Sequence, residues 1–117
     1  MSIPGKLVLA SSDLNARTRV LSAAPGRDVV ATGGRGFTPA LEGAEILILD
    51  LDEGGDAALE ELASARKAGQ APAHVIGFLS HVDRELGRAA RGAGCRAIAR
   101  GRFWTELPEI LSSLSDR

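Results

Sequence analysis

Short apolar runs alternate along the chain with stretches whose apolar residues recur at helical spacing. Leu7, Val8, Leu9 and Ala10 form one unbroken run, so Lys6–Ala10 predicts a strand. Ser11 or Ser12 is placed to cap a helix from Asp13 to about Ala24, with Leu14, Ala16, Val20 and Leu21 as its apolar side. Pro25-Gly26 ends it. Asp28–Thr32 predicts a second strand, followed by the loop Gly33-Gly34-Arg35-Gly36 and a short, poor helix over Thr38–Gly43. Glu45–Asp50 contains Ile46-Leu47-Ile48-Leu49, a run that suits a strand buried on both faces. Gly54-Gly55 opens a helix from Asp56 to Ala68, and Gly69 stops it. After Pro72, Ala73–Leu79 predicts a fourth strand. A fourth helix from Asp83 to Arg91 is ended by Gly92 and Gly94, and Cys95–Ala99 is a weaker fifth strand. Thr105 is placed to cap a final helix, with Pro108 in its first turn and Leu107, Ile110, Leu111 and Leu114 on its buried side.

Five rounds of strand then helix predict a parallel sheet with helices on both faces. For 117 residues the compact solution is a single α/β domain. Its expected form is a flavodoxin-like three-layer sandwich, with a five-stranded parallel sheet of order 2-1-3-4-5. In such sheets ligands and reactive groups gather at the carboxyl ends of the strands. That rule selects Ser11, Ser12, Asp50, Asp52, Ser80, His81 and Arg100.

Composition narrows the function. Hydrophobic residues make up 44% and charged residues 25%, which fits a soluble domain with its own core. Aromatics are only 3%, so base-stacking nucleic-acid platforms are excluded. The net charge of −1 excludes an overall electrostatic nucleic-acid binder. The single Cys95 cannot form an internal disulfide, and two His with one Cys do not make a zinc site. A reducing, cytoplasmic setting is expected. The apolar run near the start is too short for a signal-peptide core, and no stretch approaches a membrane span.

Asp50 ends the third strand, Ser80 ends the fourth, and Arg100 follows the fifth. This set resembles the receiver domain of two-component response regulators. The resemblance is carried by the element order, by Ile48-Leu49-Asp50-Leu51, by Leu79-Ser80-His81 and by Ala93-Gly94-Cys95. The stretches Gly77–Asp83 and Arg100–Phe103, with Leu107-Pro108-Glu109, also resemble small divergent receiver-like bacterial proteins. The resemblance makes Asp50 the phosphoacceptor equivalent. It places the family's Mg²⁺-binding carboxylate pair on Ser11 and Ser12, its Lys on Arg100, the following Pro on Gly101 and its switch aromatic on Ala97. Mg²⁺ wants carboxylate oxygens, so two hydroxyls leave at most a weak metal site, and no cofactor is expected. The expected site is therefore degenerate and closed. Arg100 gives Asp50 a bidentate hydrogen bond, and Ser11, Ser12 or Ser80 completes its lone pairs. The alternatives are a working phosphoacceptor Asp50, or an Asp50 that merely caps a loop or helix.

Arg84, Arg88 and Arg91 stand at i, i+4 and i+7, opposite Val82, Leu86, Ala89, Ala90 and Ala93. From Arg84 to Arg102 six arginines accompany one acid, Glu85. With Arg102 and Trp104 they make a candidate docking face on the fourth helix, fifth strand and fifth helix. It suits an acidic protein partner or a second copy; the plain alternative is a solvated helix face. Nucleic acid is disfavoured there, because nothing aromatic accompanies the arginines. Of Phe103 and Trp104, either one is in the core and the other near the surface, or both are in the core. His81 reads as a loop residue, His74 lies at the wrong strand end, and Cys95 reads as a small buried residue. Ser11-Ser12 lacks triad spacing, Gly33–Gly36 lacks a phosphate-loop ending, and the acids from Asp50 to Asp56 read as a solvated loop. The chain thus reads as a non-enzymatic pseudo-receiver, a signalling or regulatory module that acts by protein contacts without phosphorylation. The alternatives are a phosphorelay receiver using Asp50, and a flavodoxin-like domain that binds a small ligand or nucleotide in the strand-end cleft.

Overall fold

The five apolar runs become five strands in the structure, a computed structural model that describes residues 5–80 and 83–115. They are β1 (Lys6–Ala10), β2 (Val29–Thr32), β3 (Ala44–Asp50), β4 (His74–Leu79) and β5 (Arg96–Ala99). Every pairing is parallel, and the order is β2-β1-β3-β4-β5. The alternation of side chains along each strand divides the core in two. Leu7, Leu9, Ile46, Ile48, Ile76, Phe78 and Ile98 point to one layer, and Val8, Ala10, Leu47, Leu49, Val75 and Leu79 to the other. Residues 46–49 are fully buried, because β3 sits at the centre of the sheet with helices on both sides.

Four α-helices cover the sheet: α1 (Leu14–Ala23), α2 (Leu51–Lys67), α3 (Arg84–Gly92) and α4 (Arg100–Ser115). Ala16 and Val20 of α1 join Phe103, Leu107, Ile110 and Leu111 of α4 over one face. Ala58, Leu59, Leu62 and Ala65 of α2 join Ala90 of α3 over the other. The layers are those of the expected flavodoxin-like sandwich, with one helix fewer than five rounds would give. Between β2 and β3 the chain makes only a 3-10 turn, Thr38–Leu41, which buries Phe37 and Leu41. Glu61 of α2 holds this turn, since its carboxylate accepts the N–H of Gly36 at 2.6 Å, the N–H of Thr38 at 2.8 Å and the Thr38 hydroxyl at 2.6 Å.

Helix starts and faces depart from expectation in four places. α1 is capped by Asp13, whose carboxylate accepts the Asn15 N–H at 2.9 Å, and not by either serine. Its buried residues are the small Ala16 and Val20, while Leu14 is 75% and Leu21 46% exposed. α2 starts at Leu51 rather than Asp56, with Asp50 as its cap. α4 starts directly at Arg100, so Thr105 lies inside it, bonds back to the Gly101 carbonyl at 3.2 Å, and caps nothing. On α3, Ala90 is buried and Leu86 and Ala93 pack against the core, but Ala89 is exposed. His81 and Val82 lie outside the described residues. Cys95 is buried as expected, and burial pushes its thiol up to about 12, with Arg66 pulling slightly the other way. That thiol is inert at neutral pH.

The early start of α2 depends on two glycines. A Cβ at Gly54 would stand 2.5 Å from the Gly34 carbonyl oxygen, so the loop after β2 closes on the helix only without a side chain there. Gly55 sits at φ 55° and ψ −144° and joins two helical pieces across a kink. Gly55→Ala should destabilise the fold by about 1–3 kcal/mol through backbone strain alone. A urea titration checks this, and an unchanged midpoint would exclude the kinked conformation.

Candidate functional site

β3 delivers Asp50 to the carboxyl edge of the sheet, where it is 3% exposed. A buried carboxylate needs partners for both oxygens. Ser11, itself buried at the end of β1, donates its hydroxyl to Asp50 Oδ2 at 2.7 Å. The same Ser11 oxygen accepts the Asp13 N–H at 3.1 Å, which fixes the turn into α1. Asp50 Oδ1 accepts the Glu53 N–H at 3.2 Å, the cap of α2, and an Arg100 Nη2 hydrogen bond at 3.3 Å.

Arg100 does not close on Asp50 as the expected two-pronged fork. It bridges two carboxylates, with Nε and Nη2 each 3.0 Å from Asp52 Oδ2 and Nη2 reaching Asp50. The reason is the early start of α2, which puts Asp52 in the first helical turn beside Asp50. The guanidinium carbon of Arg100 lies over the Phe78 ring, 4.7 Å from its centre, a cation–π contact. Asp52 Oδ1 accepts the Ser80 N–H at 2.9 Å, so the bridge extends to the end of β4.

The other predicted members of the site divide. Ser80 contributes its backbone N–H, and its hydroxyl has no bond to Asp50 among the described residues. Ser12 turns away from Asp50. Its N–H and its hydroxyl both donate to Glu53 Oε1 at 2.9 Å, while Glu53 Oε2 accepts the Gly34 N–H at 2.7 Å. Burial pushes the Glu53 carboxyl up, but the hydrogen bonds from Ser12 and Gly34 outweigh it and leave the group below its ordinary value. Asp52 and Glu53 are therefore part of the site and not a solvated loop. The signal that finds them is their place two and three residues after a capping Asp.

The divalent cation that the receiver resemblance implies does not fit these residues. Both Asp50 oxygens and both Asp52 oxygens are engaged, and a guanidinium already supplies the positive charge between them. Ser11 and Ser12 stand where carboxylates would be needed. Among the described residues no cluster of three His, Cys, Asp or Glu suits a metal.

Arg84, Arg88 and Arg91 of α3 do come together with Arg102 of α4, around a cleft of about 400 Å³ floored by Leu79, Ala97 and Ile98. Trp104 is not among them. It lies on the opposite side of α4, half-buried, with ring centres 5.0 Å from Phe78 and 4.9 Å from Phe103, and Arg19 of α1 stacks over it at 5.4 Å. Phe103 is fully buried, so one of the neighbouring pair is in the core and the other at the surface.

Two outcomes follow from this geometry. Arg100→Ala leaves the buried Asp50 carboxylate without its cation and should cost about 1–3 kcal/mol of stability in urea. In an Asp50→Asn background the cost should shrink by about 0.5–3 kcal/mol, the coupling expected of a direct contact; additive losses would rule out the bridge. The second concerns acid. Glu53 and Glu61, whose hydrogen bonds from Ser12, Gly34, Gly36 and Thr38 outweigh their burial, both lie below the ordinary 4.5 in the fold. Their contribution is complete above that value and is lost as pH falls through the folded-state pKa. Stability of the double variant Glu53→Gln/Glu61→Gln should therefore fall less steeply with acidification than that of the parent; parallel curves would count against it.

No family model and no curated protein matches the chain. Two solved structures are similar over nearly all of it. One is a CheY-like protein, tadZ, of Pseudomonas aeruginosa PAO1, with a TM-score of 0.66 and 20% identity, covering 93% of this chain and 98% of that one. The other is a pilus assembly-related protein of Burkholderia pseudomallei K96243, with a TM-score of 0.74 and 19% identity, covering 99% of this chain and 92% of that one. At such identity the likeness is one of fold, and with the sheet order β2-β1-β3-β4-β5 it gives this chain the CheY-like, flavodoxin-like α/β fold.

Proposed function

We propose that this chain is a pseudo-receiver: a signalling or regulatory module, not an enzyme, that docks a protein partner without phosphoryl transfer at Asp50. One observation carries the reading, the Arg100 guanidinium bridging Asp50 and Asp52. Phosphoryl transfer to a carboxylate needs an oxygen open to in-line attack and a metal ion to neutralise the developing charge. Here both Asp50 oxygens hold hydrogen bonds, and a cation built into the chain holds one arrangement of the site. By the receiver resemblance the switch aromatic falls on Ala97, a side chain with no rotamer to change. The module therefore offers its partner one constant surface.

That surface is assigned to α3, β5 and the start of α4, where Arg84, Arg88, Arg91 and Arg102 favour an acidic partner. The Burkholderia neighbour gives the first class to test, a component of pilus assembly. A second copy of this chain is the alternative occupant. The cytoplasm is the proposed setting, supported by the unpaired, buried Cys95. No described helix is long and apolar enough to cross a membrane.

Incubation with acetyl phosphate and Mg²⁺ tests the reading. The intact mass should stay unchanged, and beryllofluoride with Mg²⁺ should leave the melting temperature where it was. A gain of one phosphoryl group that disappears in Asp50→Asn would restore a working phosphoacceptor.

A further inference from the structure

Four arginines stand around the cleft. Arg84, Arg88 and Arg91 make no ion pair among the described residues, and Arg102 pairs with Glu106 one turn along its own helix. The three on α3 stand at positions 84, 88 and 91, a rise of about 10 Å from first to last, with Arg102 facing them from α4. The acid at the margin, Asp83, is spent on capping α3, where its carboxylate accepts the Leu86 N–H at 3.1 Å. The recess exists because its floor is small. Ala97 leaves space above β5, and the Arg91 guanidinium lies over Gly87, at ordinary contact distance (3.7 Å) from where a Cβ would stand.

Like charges gathered on a concave, partly apolar wall repel one another more than on an open surface, and an anion in the recess relieves that repulsion. We propose that this cleft binds a compact phosphate-rich anion, a di- or triphosphate group, either free or as the tail of a nucleotide. Guanidinium forks match phosphate oxygens two at a time, and a triphosphate brings several charges into the span of three arginines. Carboxylates along a peptide carry one charge per residue, so an acidic partner suits the exposed rim of this face, and the denser charge of a polyphosphate suits the recess itself. No aromatic side chain lines the cleft, so recognition falls on the phosphates and not on a base. The Ser80 side of the recess adds a further polar wall. An anion here would join α3 to α4 on the face assigned above to a protein partner, and would control access to it. The inference does not rest on that assignment, since it follows from the cleft alone.

Isothermal titration of the full chain with tripolyphosphate, in ~150 mM salt to screen loose attraction, tests it. One ligand should bind per chain, with orthophosphate about tenfold weaker or worse. Arg88→Ala and Arg91→Ala should each weaken tripolyphosphate by about tenfold or more. Arg88→Lys should recover only part of that, because the charge returns without the fork. Arg17→Ala on α1 removes the same charge far from the cleft and should change nothing. ATP binding as tightly as tripolyphosphate supports a free oligophosphate ligand, and tighter ATP binding supports a nucleotide source. No heat at millimolar tripolyphosphate overturns the proposal. So does an equal loss in Arg17→Ala, or tighter binding of a Glu-rich peptide. Asp50→Asn should bind tripolyphosphate as the parent does, so failure here is separable from phosphorylation at Asp50.

Discussion

A carboxylate buried at the carboxyl edge of the central strand sets the terms for what surrounds it. Asp50 is 3% exposed, and an unpaired charge in that place costs several kcal/mol. Its partners come from three directions: the Ser11 hydroxyl, the Glu53 N–H and the Arg100 guanidinium. Each demands something of the backbone. The Glu53 N–H is available only if α2 begins immediately after β3, which it does at Leu51. The guanidinium reaches in because α4 begins at Arg100, with no loop after β5. One buried charge thus accounts for two helix starts.

Acids of α2 also hold the loops that follow the strands. Asp52 accepts the Ser80 N–H, Glu53 accepts those of Ser12 and Gly34, and Glu61 accepts those of Gly36 and Thr38. All three acids belong to α2, so one helix ties down the segments that follow β1, β2 and β4. A receiver-like domain that switches would need some of these segments free to move. Here they are fastened to one rigid element by charge-assisted hydrogen bonds, which are the stronger kind.

The sheet is legible because its central strands are apolar on both faces, and a continuous run such as Ile46–Leu49 has no other compact use. Helix starts were harder, because they depend on which polar group finds an orphan N–H. Asp50 read as a site residue, and its second role as a cap was hidden by Gly54-Gly55, a pair that suggests a break and turns out to be a kink inside α2. Leu14 and Leu21 misled for a different reason. α1 lies close to the sheet through small residues, so Ala16 and Val20 face inward and the larger leucines turn out. In the site, Asp50, Ser11 and Arg100 were found from strand ends alone, since topology fixes where those ends meet. Asp52 is selected by the same rule, whereas Glu53 is not, and the contacts of both exist only once α2 starts early. Trp104 was grouped with the arginines by sequence proximity, but two helical positions after Arg102 point about 160° away from it.

The Asp50 bridge and the arginine cleft are separate sites with common supports. Arg100 and Arg102 both occupy the first turn of α4, Arg100 between two carboxylates and Arg102 on the wall of the cleft. Ser80 gives its N–H to Asp52 on one side and lines the cleft on the other. Phe78, next to it, lies beneath the Arg100 guanidinium and packs on Phe103. A net charge of −1 conceals this arrangement, because the acids of α2 gather at one edge and the arginines of α3 at the next. The built-in cation satisfies the acids where a receiver would use a metal. On the proposed reading, the arginines of α3, which make no ion pair among the described residues, are the charge open to a ligand in the groove beside the strand ends.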